Sequence, residues 1–271
     1  MPELPEVETT CSGIRPLLQG QRIAGVIVRQ RRLRQPIPAR LPQQMRGATI
    51  TAIERRAKYI LLRTTAGTAL LHLGMSGSLR LTTAAEKPTA HDHVDIVLTN
   101  GSVLRLRDPR RFGLLLWTQR DPLEHRLLQG LGPEPLEAGF TAEVLWQQAQ
   151  RRRVAVKQLT MDGHVVVGVG NIYASEALFG AGIDPRRQAA TLTRNECRRL
   201  VTAIRKVLQA AIRQGGTTLR DFTASDGRPG YFRQHLKVYG RGGEPCTRCH
   251  TPIATLRQGQ RASYYCPHCQ Q

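Results

Sequence analysis

Nowhere in this chain of 271 residues does an apolar run approach the roughly 20 residues a membrane-spanning helix needs. No basic stretch with an apolar core behind it precedes the first helical pattern, so no secretion signal is read there. Acidic residues are scarce, 20 against 40 basic ones, giving a net charge of +20 and an isoelectric point near 11. Such an imbalance argues for a polyanion, most simply nucleic acid. Lysine is scarce too: only Lys58, Lys87, Lys157, Lys206 and Lys237 stand among the arginines, a bias so general that no arginine is singled out by composition alone. Cysteine is limited to six residues. Cys11 and Cys197 lie on helical stripes and read as small core hydrophobes. Internal repeats and low-complexity tracts are absent. Together these features predict a soluble, cytoplasmic protein in a reducing compartment.

The positive charge belongs to the whole body. It is +11 over residues 1–120 (19 basic, 8 acidic), +6 over 121–240 (17 and 11) and +3 over 241–271 (4 and 1). A disordered basic tail would have concentrated it.

Leu4, Val7, Cys11, Ile14 and Leu18 recur at helical spacing behind Pro5, which suits the first turn of a helix. Short runs rich in branched residues follow at 23–28, 49–53, 59–63, 69–73 and 79–81. Residues 94–98 and 103–107 alternate around Asn100-Gly101, a strong hairpin signal, and 112–117 reads as a further strand. These elements predict an antiparallel β-sandwich with the first helix against it. The stretch 121–140 is rich in Pro and Gly and reads as a linker. Helices follow: Thr141 can cap one, and Thr193-x-x-Glu196 is a capping box for another that Gly215-Gly216 ends. From 215 to about 240 no period is visible, which marks a functional or mobile stretch. The fold class is α+β.

Cys246-x2-Cys249, sixteen residues, then Cys266-x2-Cys269 fits a four-thiolate zinc site on a small hairpin. Four sulfurs close the coordination shell, so one structural Zn2+ per chain is expected; a redox dithiol pair is the competing reading. His72, His91 and His93 repeat no metal-ligand spacing and read as structural histidines. Gly168-Val169-Gly170-Asn171 is a glycine turn opening a helix, where amides can hold a phosphate or simply start the helix. It is no dinucleotide fingerprint, since Tyr173 takes the place of the third glycine.

The opening Met1-Pro2-Glu3-Leu4-Pro5-Glu6-Val7-Glu8-Thr9 admits two readings. One is an ordinary helix entry. In the other, removal of Met1 exposes the secondary amine of Pro2, able to condense with an aldehyde to a cationic iminium. The amine would then lie at the positive end of a helix dipole, with Glu3 and Glu6 placed to move protons.

Pro2 to Thr9, Arg56-Ala57-Lys58-Tyr59, His72-Leu73-Gly74-Met75-Ser76-Gly77-Ser78, Asp108-Pro109-Arg110-Arg111-Phe112-Gly113, Val167 to Glu176 and the four cysteines occur in one order. Together they resemble the bacterial formamidopyrimidine-DNA glycosylase family, also called 8-oxoguanine-DNA glycosylases, from Pro2 to Cys269. The resemblance implies an N-terminal catalytic β-sandwich domain (1–120), a linker (121–140), a helical helix–two-turn–helix DNA-binding domain with a lesion-covering loop (141–240) and a zinc finger (241–271). It implies a bifunctional glycosylase and abasic-site lyase that excises oxidised purines from damaged double-stranded DNA. The protein would act as a monomer in the bacterial cytoplasm, associated with the nucleoid and without a membrane partner. Pro2 is implied as nucleophile and Glu3 as acid/base. Lys58 is similar to the family lysine at the lesion. Asn171 and Arg261 match residues that grip the flanking phosphates, Arg261 being counted with the catalytic set. Met75, Arg110 and Phe112 match residues that fill the gap in the duplex, and His91 and Arg153 are added to the DNA contacts. One departure is Gln158-Leu159-Thr160 ahead of Met161-Asp162, where apolar residues are expected; it touches local packing.

Two rivals are weighed. Endonuclease VIII shares the fold and prefers oxidised pyrimidines, but its opening typically runs Pro-Glu-Gly-Pro-Glu, and Leu4 with Glu8-Thr9 favours the purine enzyme. A non-catalytic zinc-ribbon DNA-binding protein explains the charge and the finger, yet leaves the proline amine beside Glu3, and Lys58, without a purpose.

Overall fold

The computed structural model describes residues 1–216 and 235–271. They divide into two compact units. One takes Met1–Gln129 and the described residues from Gln214 to Gly216; the other takes Gly130–Arg213 and the described residues from His235 onward. The purine-covering role expected of the stretch 215–240 falls mostly on 217–234, outside the described residues.

The first unit opens with helix α1 (Leu4–Leu18), whose stripe Leu4, Val7, Cys11, Ile14 and Leu18 is fully buried. Behind it come strands β1 (Ile23–Val28), β2 (Ile50–Arg56), β3 (Tyr59–Thr64), β4 (Gly67–His72), β5 (Ser78–Thr83), β6 (Asp92–Leu98), β7 (Ser102–Arg107) and β8 (Leu114–Thr118). A one-turn helix, α2 (Leu41–Met45), which has too few residues to show a period, follows β1. The strands form two four-stranded antiparallel sheets, β1-β6-β7-β5 and β2-β3-β4-β8. One apolar cluster joins them, drawing Val7 and Ile14 from α1, Ile60 and Leu71 from one sheet and Val94 and Leu104 from the other. This is the expected sandwich with its helix.

The Asn100-Gly101 hairpin forms as expected: Gly101 N–H returns to the Leu98 carbonyl at 3.1 Å, and Gly101 takes left-handed backbone, φ +85°. That is a type I turn closed by a bulge, another favoured solution for a twisted ribbon. One local difference from expectation is the start of β8, at Leu114 instead of residue 112. Arg111 is left-handed, φ +56°, and the Gly113 N–H is taken by the Asp108 carboxylate at 2.7 Å, so neither can extend the ladder.

In the second unit, α3 (Ala142–Gln150) starts where Thr141 Oγ1 accepts the Val144 N–H at 3.2 Å. The helices α4 (Val156–Met161), α5 (Asn171–Ala181) and α6 (Arg194–Arg213) follow. The capping box of α6 is complete: Thr193 Oγ1 accepts from Glu196 N at 3.2 Å, and Glu196 Oε2 from Thr193 N at 2.9 Å. Thr160, the polar departure noted above, is fully buried but donates to the Val156 carbonyl at 2.8 Å, so its hydroxyl is satisfied within the helix. The chain ends in the hairpin β9 (Ala254–Gln258) and β10 (Arg261–Tyr265), whose knuckles pack on Phe179 of α5.

Candidate active site and nucleic-acid contacts

Pro2 and Glu3 lie just ahead of α1, both buried, and Glu3 is its N-cap residue. Glu6 Oε2 accepts the Glu3 N–H at 2.8 Å. Glu6 therefore fixes the backbone of Glu3, a capping task. The next turn of α1 reaches the β2–β3 hairpin. Glu8 Oε2 accepts from Arg55 Nε at 2.7 Å, and Arg55 Nη1 donates to the Ala57 carbonyl at 3.1 Å.

Lys58 stands at the tip of that hairpin, a two-residue turn between the paired Arg56 and Tyr59. Ala57, the first central residue, has φ +55°. A left-handed non-glycine residue here stores roughly 1–2 kcal/mol of strain. The Arg55 bond to its carbonyl helps hold it, and the turn presents Lys58 on an element tied to the helix behind Pro2 and Glu3.

The ring of Tyr59 meets His72 edge to face at 4.9 Å. His72 Nδ1 accepts the Gly74 N–H at 2.9 Å, so this neutral ring carries its proton on Nε2. Burial first, then the charges of Arg34 and Lys58, push its pKa down from 6.5 to about 4. His72 is thus a neutral donor beside two cations at physiological pH. The sequence marked it only as structural; its place in a charged cluster arises from pairing of β3 with β4.

From His72 the chain enters the loop bearing Met75. A Cβ on Gly74 would lie 2.4 Å from the Phe112 carbonyl carbon and 2.5 Å from Gly113 N, so the Met75 and Phe112 loops pass backbone to backbone. Asp108, fully buried, locks them: Oδ1 accepts from Ser76 Oγ at 3.0 Å and Oδ2 from Gly113 N at 2.7 Å. Ser76 Oγ accepts the Arg110 N–H at 3.2 Å. His93 Nε2 lies 2.8 Å from the Asp108 carbonyl, and the His91 carbonyl accepts the Asp108 N–H at 3.0 Å. His93 is therefore structural, and His91, whose side chain is exposed, serves the frame through its backbone. On this frame Met75 and Phe112 are exposed by 38% and 43%, two of the few large apolar side chains left in water. The Arg110 guanidinium lies 5.1 Å from the Phe112 ring centre. Sequence reasoning passed over Ser76 and Asp108; the Gly-Met-Ser-Gly and Arg-Arg-Phe-Gly runs around them were the available signal.

In the second unit Asn171 opens α5, and its Nδ2 donates to the Ala262 carbonyl at 3.0 Å. Lys157 Nζ donates to the same carbonyl at 3.0 Å and to Ser263 Oγ at 2.7 Å. Ser263 Oγ donates on to Gln258, the cross-strand partner of Arg261. The expected phosphate-gripping residues Asn171 and Arg261 are thus brought together on one unit by Lys157, which sequence reasoning missed. Arg153 is exposed ahead of α4. Glu176, buried on α5, accepts the consecutive N–H groups of Lys237, Val238 and Tyr239 at 2.9 Å, and Tyr239 meets Tyr264 of β10 at 5.1 Å.

The four thiols of Cys246, Cys249, Cys266 and Cys269 lie within 4.8 Å of one another, and among the described residues they form the single such cluster of metal-binding side chains. The Cys246–Cys269, Cys249–Cys266 and Cys249–Cys269 sulfur separations, 3.4 to 3.9 Å, suit a tetrahedron with Zn–S bonds of about 2.3 Å. The donor set fits one structural Zn2+, which would clamp the two knuckles behind Arg261.

The formamidopyrimidine-DNA glycosylase N-terminal domain matches residues 1–115, the H2TH domain of the same enzymes 131–223, and the zinc finger found in FPG and IleRS 243–271. The chain belongs to the formamidopyrimidine-DNA glycosylase family. It is thereby a DNA-repair glycosylase. It is 57% identical to the formamidopyrimidine-DNA glycosylase of Stutzerimonas stutzeri, with all of both chains covered. Among solved structures it is similar to the MutM (Fpg) protein of Thermus thermophilus, at 40% identity and TM-score 0.89 over 99% of this chain and 98% of that one. It also matches a Lactococcus lactis Fpg mutant in complex with Fapy-dG containing DNA, at 30% identity and TM-score 0.93 over the whole of both chains.

Proposed function

We propose that the protein excises oxidised purines, 8-oxoguanine and formamidopyrimidines, from duplex DNA and then cuts the strand, using Pro2 as the nucleophile. With Met1 removed, the Pro2 nitrogen attacks C1′ of the damaged nucleotide. Glu3 supplies a proton as the sugar ring opens and the base leaves. The iminium now joining Pro2 to C1′ withdraws electrons and acidifies the C2′ proton. Its removal expels the 3′ phosphate, and a second elimination expels the 5′ phosphate, which is β,δ-elimination.

The reading is carried by the placement of Pro2 and Glu3 at the capped start of α1, joined through Arg55 to the Lys58 hairpin. The other assignments follow from it. A base inside the stack must be flipped out at a cost of a few kcal/mol. Met75 and Phe112 would fill the void, and Arg110 would face the orphaned base with its fork of donors. Lys58 would sit at the lesion. Asn171 and Arg261 would hold flanking phosphates, with His91 and Arg153 on the DNA further out. Damaged double-stranded DNA is the partner; the protein would act as a monomer in the bacterial cytoplasm.

The test is borohydride trapping on a labelled 8-oxoguanine duplex. The protein with a free Pro2 amine should give a covalent adduct and strand cuts. A verified Met1-retaining protein should bind duplex but lose both, because an acylated nitrogen is an amide without usable basicity. Undiminished trapping in that protein would exclude Pro2 and make Lys58 the nucleophile to examine. A thymine glycol duplex separates the purine reading from the endonuclease VIII one.

A further inference from the structure

Gly215 and Gly216 follow α6 with nearly the same left-handed backbone, φ +73° and +79°. Their surroundings differ. A Cβ on Gly215 would meet nothing within 4 Å. A Cβ on Gly216 would lie 3.1 Å from Glu6 Oε1, 3.2 Å from its Cγ and 3.4 Å from its Cα. Glu6 is 2% exposed, and its other oxygen, Oε2, accepts the Glu3 N–H at 2.8 Å. The Glu6 carbonyl accepts from Thr10 Oγ1 at 2.9 Å, so its backbone has little room to retreat. One edge of a single buried carboxylate therefore fixes the backbone of Glu3 while the other lies against the bare α-carbon of Gly216.

We propose that Gly216 is a positioning residue for Glu3, acting through Glu6. Having no side chain, it lets the chain lie flat against Glu6 and keeps that carboxylate turned toward the Glu3 N–H. The Glu3 backbone sets the aim of its own carboxyl group, which base release needs and attack on a pre-formed abasic aldehyde does not. This rests on the reading of Pro2 and Glu3 given above. A methyl group on Gly216 would press on the carboxylate by a few tenths of an ångström, and the displacement would pass to Glu3 along the hydrogen bond. Reacting groups misplaced by about 1 Å lose on the order of 100-fold in rate, so a fraction of that shift should lose about tenfold.

The experiment compares Gly216→Ala with Gly215→Ala, which carries the same backbone strain without the contact. Single-turnover release of 8-oxoguanine from duplex is measured beside borohydride trapping on a pre-formed abasic site, which needs no base to leave. Gly216→Ala should release base about tenfold more slowly than Gly215→Ala, while the two trap abasic DNA within about twofold of each other. Added to Glu6→Ala, it should slow release no further, whereas Gly215→Ala should behave the same in either background. Equal release by the two glycine variants, equal loss in both reactions, or additivity with Glu6→Ala would each overturn the proposal. Should Glu6→Ala not fold, the direct comparison of the glycine variants decides alone. Absence of any adduct with the unsubstituted protein would instead sink the Pro2 and Glu3 reading, and this proposal with it.

Discussion

Replacing Gly74 by alanine tests whether the wedge is built by two interlocked loops. The added Cβ would stand 2.4 Å from the Phe112 carbonyl carbon, 2.5 Å from Gly113 N and 2.6 Å from the Phe112 oxygen. All three are backbone atoms, so no rotamer change relieves the overlap. The loops must part by about 1 Å to restore an ordinary contact of some 3.4 Å. Such overpacking costs about 1–3 kcal/mol. The left-handed backbone at Gly74, φ +63°, adds about 1–2 kcal/mol for a residue with a side chain. Thermal unfolding should therefore lose about 2–5 kcal/mol, a drop of order 10 °C or more if the first unit melts alone. Gly101→Ala is the control, since φ there is +85° and a Cβ meets nothing within 4 Å; it should show the smaller strain loss only. In function, Met75 and Phe112 would be misplaced by about the same 1 Å, so release of 8-oxoguanine from duplex should fall on the order of 100-fold. Cleavage of a pre-formed abasic site should fall far less, because little unstacking is needed there. Phe112→Ala should show the same asymmetry with much less loss of stability, since its ring is exposed by 43%. A Gly74→Ala protein that melts and excises like Gly101→Ala would refute the interlock; equal losses on both substrates would refute the wedge.

Freshly purified protein should contain one zinc per chain, and Cys249→Ser should lose the metal and DNA affinity while the sandwich stays folded; metal analysis finding no zinc would exclude the site. Binding of undamaged duplex should weaken steeply with salt, and Arg261→Ala should flatten that slope by about one phosphate contact for all sequences alike. An unchanged slope would mean that Arg261 touches no phosphate. His72 links stability to pH. Its folded pKa of about 4 is below the unfolded 6.5, so the unfolded chain takes up a proton first as pH falls. The contribution is whole above 6.5, is lost as pH falls toward 4, and amounts to at most about 3 kcal/mol. Urea titrations from pH 7 to 4.5 should give a shallower loss for His72→Gln, and parallel curves would refute the assignment.

Much of this architecture is legible in the chain because it rests on local periodicity. The stripe of α1, the alternation on either side of Asn100-Gly101, the Thr193–Glu196 box and the paired cysteines are written within a few turns or strands. The family motifs likewise pointed to Pro2, Lys58, Met75 and Phe112. Their supports were not legible, because each depends on partners far apart in sequence. Nothing periodic announces that Ala57 must be left-handed, that Asp108 closes on Ser76, or that Lys157 reaches Ala262 across 105 positions. Glu6 shows the limit well: spacing put it beside Glu3, but only the structure reveals that it caps the Glu3 N–H. The short helices α2 and α4, five and six residues long, offer too little length for a period to emerge.

The frame beneath Met75 and Phe112 has a consequence for redesign. Its bonds run through Gly74, Ser76, Asp108 and Gly113, while the two apolar side chains project from it into water. A library varying positions 75 and 112 should therefore yield many folded proteins, in which the proposed void-filling role can be read from base release. One varying positions 74, 76, 108 or 113 should yield few. Exposed side chain and scaffold are separable here at the level of single residues, so the void-filling role proposed for Met75 and Phe112 can be varied without first rebuilding the fold.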